Sequence, residues 1–203
     1  MNLLHLDSSI LGANSVSRVL SAATVARLKV ATSDLHVTYR DLAASPVSHL
    51  SGAYLAGQSA EVQHDQAMQE DLQLGGEVLE EFLAADIVVI GVALYNFTVS
   101  SQLKAWVDRV LVAGKTFRYG EKGAEGLAGN KRVILAVARG GFYGPGTPHH
   151  AYEHAESFLR TVLGFIGIHD PGVVVAEDIA IGPEQRGASV RAAMERIATL
   201  KAA

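Results

Sequence analysis

Three short stretches hold the residue types from which a binding site could be built. The first is Asp7-Ser-Ser-Ile-Leu-Gly-Ala-Asn-Ser-Val-Ser17, where hydroxyls at Ser9, Ser15 and Ser17 run into a helical pattern. A helix amino terminus presents unpaired N–H groups and the positive end of its dipole, so hydroxyls beside it can complete a cradle for an anion such as a phosphate. The same serines suit plain capping and turn roles, and taken alone this loop favours that blander reading. The second stretch, Leu94-Tyr-Asn-Phe97, joins aromatic rings to an amide. The third, Arg139-Gly-Gly-Phe-Tyr-Gly-Pro-Gly-Thr-Pro148, is rich in glycines that let a backbone turn and approach a bound group closely. The first loop has neither the Gly-x-Gly-x-x-Gly spacing of a dinucleotide site nor the Gly-Lys-Ser/Thr of a P-loop, so a mononucleotide such as FMN suits it better than ATP or NAD.

The elements that would position these loops are legible from hydrophobic pattern. Ile87 to Ala93 is an uncharged apolar run without alternation, which needs cover on both faces and so predicts a central strand of a parallel sheet. Arg132 to Ala138 and Val173 to Ala176 repeat the pattern, Leu3 to Leu6 is a short apolar strand, and Leu35 to Leu42 alternates as an edge strand does. Helical periodicity separates them. Val16, Val19, Leu20 and Ala23 form one stripe behind a cap at Asn14 or Ser15, and Leu103, Trp106, Val107, Val110 and Leu111 form another opened by Ser100 or Ser101. A third stripe runs from Ala151 to Ile166, and Gly182-Pro183 opens the last helix. Ser51 to Gln58 reads as a loop or turn. From Ser59 to Ala84 the pattern is helical, interrupted by Gly75-Gly76, and two mid-helix glycines cost roughly 1 kcal/mol each against alanine unless packing offsets the loss. Lys115 to Gly126 reads as a long loop, or a small hairpin. The alternation predicts one α/β domain over 1–203, a right-handed doubly wound parallel sheet with helices on both faces. In such sheets ligands bind beyond the carboxyl ends of the strands, where all three loops fall.

Composition narrows the function classes. The 203 residues carry 17 Lys and Arg against 21 Asp and Glu, a formal charge of -4, with no basic cluster, so no nucleic-acid partner is expected. Cysteine is absent, which excludes disulfides, thiolate metal sites and cysteine nucleophiles. Met1 to Asp7 has no cationic leader, and no segment reaches the ~20 apolar residues of a membrane span, so we expect a cytoplasmic protein without a membrane partner. Hydrophobic residues at 49% against 19% charged point to some surface being covered by a second copy. His149, His150 and His154 are the nearest approach to a metal cluster, but the spacing lacks the glutamate of His-Glu-x-x-His, and solvated histidines with no bound metal are expected. His5, inside a strand, is expected to be a satisfied core histidine.

With these loops in view, the chain resembles the FMN-dependent NADH azoreductases, also described as NADH:quinone oxidoreductases, over nearly its whole length. The resemblance is carried by Ser8-Ser-Ile-Leu11 with Ser15-Val-Ser17, Leu94-Tyr-Asn-Phe97, Gln102-Leu-Lys104, Thr116-Phe-Arg-Tyr119, Glu125-Gly-Leu127, Arg139-Gly-Gly141, Leu163-Gly-Phe-Ile-Gly-Ile168, and Ala176-Glu177 with Gly182-Pro-Glu184. Each motif is short, and it is their shared order that makes the match specific. The resemblance implies a flavodoxin-like fold of five parallel strands and a homodimer with each FMN near the subunit interface. It implies that Ser9, Ser15, Val16 and Ser17 hold the FMN phosphate, that Leu94, Tyr95, Asn96 and Phe97 line the isoalloxazine, and that Ala138, Arg139, Gly140 and Gly141 touch its pyrimidine end. Tyr119 and Phe165 would border the substrate. NADH would be the electron donor, a quinone or azo compound the acceptor, and the order of reaction ping-pong. Two positions depart from the family, which commonly has proline at Ala93 and often serine at Ala138. Two rivals from other classes are a one-electron carrier of flavodoxin type and a cofactor-free dimeric interaction protein on the same fold. A weakly charged surface speaks against the carrier, since such proteins steer by strong acidic patches.

Overall fold

The computed structural model describes residues 1–58, 64–121 and 123–201. In chain order its elements are β1 (Asn2–Asp7), α1 (Val16–Ala31), β2 (His36–Asp41), α2 (Gly52–Gly57), α3 (Gln66–Ala84), β3 (Ile87–Ala93), α4 (Ser101–Val110), β4 (Phe117–Gly120), β5 (Gly123–Gly126), β6 (Arg132–Ala138), α5 (Glu156–Phe165), β7 (Gly172–Ala176) and α6 (Pro183–Ala198). Five strands form a parallel sheet in the order β2-β1-β3-β6-β7, while β4 and β5 pair as a separate antiparallel hairpin. The chain leaves β1 toward β2, then returns to the opposite side of β1 as β3, so the winding reverses between β1 and β3. This is the doubly wound α/β arrangement expected from the alternation of patterns.

Burial explains why β3 lacks alternation: all seven of its residues are buried. Val88, Ile90 and Val92 face a core that takes Val78 and Phe82 from α3, Trp106 and Val110 from α4, and Leu159 and Leu163 from α5. Ile87 and Val89 face the opposite layer with Leu3, Val25 and Leu28. On that layer α1 and α6 also pack over Ala136, Ala138 and Ala176. Strand β2 lies at the edge, as its alternation predicts, with Tyr39 53% exposed.

Helix starts follow their cap residues. Ser15 Oγ accepts from the Arg18 amide, Asp65 from Met68 and Ser100 from Leu103, each satisfying an otherwise orphaned N–H. Several expectations need correcting. Val19 is 44% exposed, so the α1 stripe runs instead through Val16, Leu20, Thr24 and Leu28. Residues 52–57 form helix α2, because Ser51 caps the Tyr54 amide and Tyr54 then buries its ring. Of the helix expected over 59–84, residues 59–63 lie outside the described residues. The stripe expected from Ala151 begins as a helix only at Glu156, since the Glu153 carboxylate accepts from the amides of Ala155, Glu156 and Ser157 and fixes the start there. His5 is buried, yet its Nε2 has no hydrogen-bond partner among the described residues and lies 3.6 Å from Asp7 Oδ2, so it is not a satisfied histidine.

Two groups of glycines set close contacts. Helix α3 runs unbroken through Gly75-Gly76, and a Cβ at Gly75 would overlap the Tyr54 hydroxyl. The Tyr54 ring cannot give way, being 5% exposed and stacked under the Arg109 guanidinium at 3.4 Å. At the base of the hairpin, a Cβ on Gly126 would overlap the Gly167 backbone and one on Gly129 would come 2.8 Å from the Gly167 carbonyl. The Ala128 amide bonds the Ile166 carbonyl at 2.9 Å, joining the same two segments.

The two adjacent glycines of α3 are therefore expected to respond oppositely to alanine. Among the described residues Gly76 has nothing within 4 Å of a new Cβ, so Gly76→Ala should stabilise by about 0.5–1 kcal/mol in urea unfolding. Gly75→Ala should instead destabilise by about 1–3 kcal/mol through overpacking. Equal and favourable effects at both would mean that Tyr54 does not require the gap.

Candidate functional site

Parallel strands aligned to their last residues bring the three loops to one edge of the sheet. Ala93 pairs with Ala138 at the ends of β3 and β6, and the Leu94 amide continues the ladder to the Ala138 carbonyl at 3.0 Å. Residues 94–97 and 139–141 thus leave neighbouring strands side by side, and the 8–17 turn leaves β1 next to them.

In the first loop Ser9, Ser15 and Ser17 are buried, and Ser15 Oγ lies 3.0 Å from Ser17 Oγ. Val16 contributes its side chain to the core, but its amide and that of Ser17 open α1 with no protein acceptor among the described residues. Ser9 Oγ meets Tyr95 Oη at 2.8 Å, which ties this loop to the second. There Tyr95 and Thr98 exchange both backbone hydrogen bonds, at 2.9 and 3.0 Å, around a two-residue turn. Such a turn needs positive φ at both central positions, and Asn96 and Phe97 have φ of 46° and 73°. A phenylalanine held left-handed is strained, by of order 1–3 kcal/mol, and persists where its surroundings fix it. Here the Phe97 carbonyl accepts from the His154 amide at 2.8 Å and the ring rests on Tyr152 at 5.6 Å. Leu94 packs partly on the core, whereas the Phe97 ring is 49% exposed and faces the crevice opening.

In the third loop the amides of Gly140 and Gly141 likewise find no protein acceptor among the described residues. Arg139 has a different part. Its amide donates to Ala176, its carbonyl accepts from Ile179, and its buried guanidinium bonds Glu177 at 3.0 Å and Glu156 at 2.6 Å, with Glu153 at 3.5 Å. Arg139 therefore holds the loop through its side chain, while its Nε has no hydrogen-bond partner among the described residues. Glu177 also accepts from the Tyr143 amide, bracing the far side of the glycines.

Tyr119 and Phe165 come together across Phe117, whose ring is 5.5 Å from Tyr119 and 4.7 Å from Phe165. Tyr119 is 76% exposed at the hairpin. The three histidines stay separate and exposed, and no group of three metal-ligating side chains occurs among the described residues.

Two hollows flank this edge. One, of about 520 Å³, is bordered by Phe97, Gly141, Phe142, Tyr143, His149 and Tyr152, so it adjoins both the aromatic turn and the glycine loop. The other, of about 580 Å³, lies between α1 and β2 over His5, Asp7, Arg18 and Tyr39. The first adjoins Phe97 and the unpaired Gly141 amide; the second reaches Ser15 of the 8–17 turn, and in it Asp7, Tyr39 and Arg18 are bonded to one another. Asp7 accepts from Ser21 at 2.7 Å and from Tyr39 at 3.1 Å, and burial followed by the nearby Asp7 charge pushes the Tyr39 phenol up to about 12, so it remains a donor. Gly91 makes room for this group, since a Cβ there would overlap Asp7 Oδ1. Arg18 clamps Asp41 bidentately at 2.6 and 2.7 Å. That pairing, aided by the Ala43 and Ala44 amides and opposed by burial, holds the Asp41 carboxyl below its ordinary range. Sequence reading passed over Arg18, Tyr39 and Asp41, because nothing local signals a pairing between residues 23 positions apart.

A family model described as flavodoxin-like fold matches residues 1–200. An FMN-dependent NADH:quinone oxidoreductase of Methylorubrum extorquens (strain PA1) is 63% identical over 203 residues, covering 100% of both chains. Another of that description, from Xanthomonas campestris pv. campestris, is 63% identical over 202 residues, 98% of this chain and 99% of that one. Among solved structures, the azoreductase from Bacillus anthracis str. Sterne superposes with a TM-score of 0.86 at 28% identity, covering 98% of this chain and 97% of that one.

The Arg18–Asp41 clamp generates a pH dependence of known sign. A carboxyl whose folded pKa is depressed contributes stability above its unfolded value, about 3.9, and that contribution is lost as pH falls through the folded value. Asp41→Asn should therefore lower the thermal midpoint at pH 7, and its gap to the parent should close progressively below about pH 4. A gap constant from pH 7 to 3 would show that the carboxylate charge contributes nothing.

Proposed function

This chain belongs to the flavodoxin-like family of FMN-dependent NADH:quinone oxidoreductases, and on that premise we propose that it binds FMN along the crevice above β1, β3 and β6 and reduces quinones with NADH. The observation that carries this reading is the set of six main-chain amides, at Val16, Ser17, Asn96, Phe97, Gly140 and Gly141, left without protein acceptors among the described residues at one edge of the sheet. Buried or crevice-facing amides are seldom left unpaired, and their spread suits an anion at one end and a polar ring edge at the other.

Bound FMN supplies the redox chemistry, accepting a hydride from NADH and delivering two electrons to the acceptor. The protein's own residues bind and orient. Val16 and Ser17 amides at the positive end of α1, with the Ser15 and Ser17 hydroxyls, hold the phosphate. The rigid Asn96-Phe97 turn carries the ring system, and the Gly140 and Gly141 amides donate to its polar end, where they favour the negative charge that reduction adds. Ala93 and Ala138 do not obstruct this arrangement, since the donors are backbone groups. Tyr119 and Phe165 border the substrate in this reading, azo compounds are slower acceptors, and a second copy of the chain closes the site. The single domain, the dimer and a cytoplasmic location belong to the same proposal.

Hydrogen bonds to an ionised phosphate contribute roughly 1.5–3 kcal/mol each, so replacing Ser15 and Ser17 together by alanine should raise the Kd for FMN by about a hundredfold or more in fluorescence titration. An unchanged Kd would remove the phosphate from this turn.

Donor and acceptor use one crevice in succession, so initial-rate plots against NADH at several quinone concentrations should give parallel lines. Intersecting lines would mean that both bind together, and negligible quinone turnover with ready FMN binding would favour an electron carrier.

A further inference from the structure

An arginine one turn into the helix of a phosphate-binding loop invites assignment as a phosphate ligand, and Arg18 stands in that place. Its hydrogen bonds say otherwise. A guanidinium has five N–H donors. In Arg18, Nε donates to the Ser9 carbonyl at 3.1 Å, Nη2 donates to the same carbonyl at 2.9 Å and to Asp41 Oδ1 at 2.7 Å, and Nη1 donates to Asp41 Oδ2 at 2.6 Å and to Tyr39 Oη at 3.2 Å. Every donor is engaged, and the side chain is only 16% exposed. None is left for a phosphate.

We propose that Arg18 is a positioning residue that fixes the Ser9 backbone to the end of β2 and thereby sets the affinity for the phosphorylated flavin over its unphosphorylated form. The inference rests on the FMN reading above. Ser9 lies between the last residue of β1 and the first turn of α1, where its carbonyl takes two bonds from Arg18 while its hydroxyl meets Tyr95. The chain Asp41–Arg18–Ser9–Tyr95 therefore joins the edge strand, the phosphate turn and the ring-bearing loop in one line. Asp41 is itself held by the amides of Ala43 and Ala44, at 3.0 and 3.2 Å, so the far end of the line is anchored in backbone. The role needs a planar fork that spans a carbonyl and a carboxylate together, which the single ammonium of a lysine does not provide.

The test compares FMN with riboflavin, which lacks the phosphate, by flavin-fluorescence titration of the full-length chain carrying Arg18→Lys or Arg18→Gln. The expected result is an FMN Kd raised by about tenfold in both variants, with the riboflavin Kd within about twofold of the parent, so that the preference for FMN collapses. Arg18→Lys retaining the parent FMN affinity would overturn the proposal, because charge alone would then suffice. An equal loss for both flavins would overturn it as well, since that is what general loosening produces. Circular dichroism melts monitor folding, and should the Arg18 variants not fold, Asp41→Asn leaves the arginine in place without its clamp and is read against the same two ligands. If Ser15→Ala/Ser17→Ala loses FMN affinity while the Arg18 variants do not, only this inference fails. If none of them does, the phosphate reading fails with it.

Discussion

Everything at the functional edge depends on the parallel pairing of β3 with β6 being kept in register to the last residue of each strand. Ala93 faces Ala138, and the Leu94 amide then takes the Ala138 carbonyl, so two loops begin at the same height and a ladder spacing apart. A slip of one residue would turn Val88, Ile90 and Val92 from one core to the other and carry both loops out of line. Burial on both faces makes that slip costly, because each layer has its own complement of helices. The position of the site is thus a by-product of the packing of the core, and the small residues at the strand ends leave the loops free to turn.

The loops themselves are stiff for three separate reasons. The 8–17 turn is tied to β2 through Arg18. The Asn96-Phe97 turn is pinned by paired backbone hydrogen bonds and by the His154 amide. The glycine loop rests on Arg139, which sits among three carboxylates with the Glu153 carboxylate also closing the first turn of α5. An excess of acid around one buried guanidinium is tolerated because the spare oxygens accept main-chain amides, at Tyr143 and at residues 155–157. Preorganisation of this kind lets backbone dipoles do the binding without side chains having to move.

How much of this was legible in the sequence depends on range. Strands Ile87–Ala93 and Arg132–Ala138 were readable because each apolar run is bounded on one side by a charged residue, Asp86 before the first and Arg139 after the second. Helix starts were readable to within a residue, as Asn14 or Ser15 and as Ser100 or Ser101, and the caps are Ser15 and Ser100. The order of the three loops, and hence the crevice, followed from topology rules. Helix α2 was missed because six residues with glycine at both ends give too short a period, and its stability comes from Tyr54 packing on α3 and Arg109. The ion pairs of Arg139 were not legible because its partners are 14 to 38 residues away in sequence and share no motif with it. Long-range polar pairing leaves no periodic signature, whereas hydrophobic burial does.

The glycine contact between the hairpin base and the end of α5 has a consequence for how this chain can change over generations. Gly126, Gly129 and Gly167 meet backbone against backbone, so a side chain gained at Gly126 or Gly129 is obstructed by main chain, which has no rotamer to retreat into. Gly167 is bound twice over, by that contact and by a φ of 99°. No sequence of single neutral replacements leads away from this arrangement: an alternative would need the hairpin and the helix end to separate at once. Beyond the contact Tyr119 stands 76% exposed, whereas Gly123 is held to glycine by a φ of 109°. Drift should therefore vary the tip of the arm while its root stays frozen, so that related proteins could differ in what the arm presents but not in where it points.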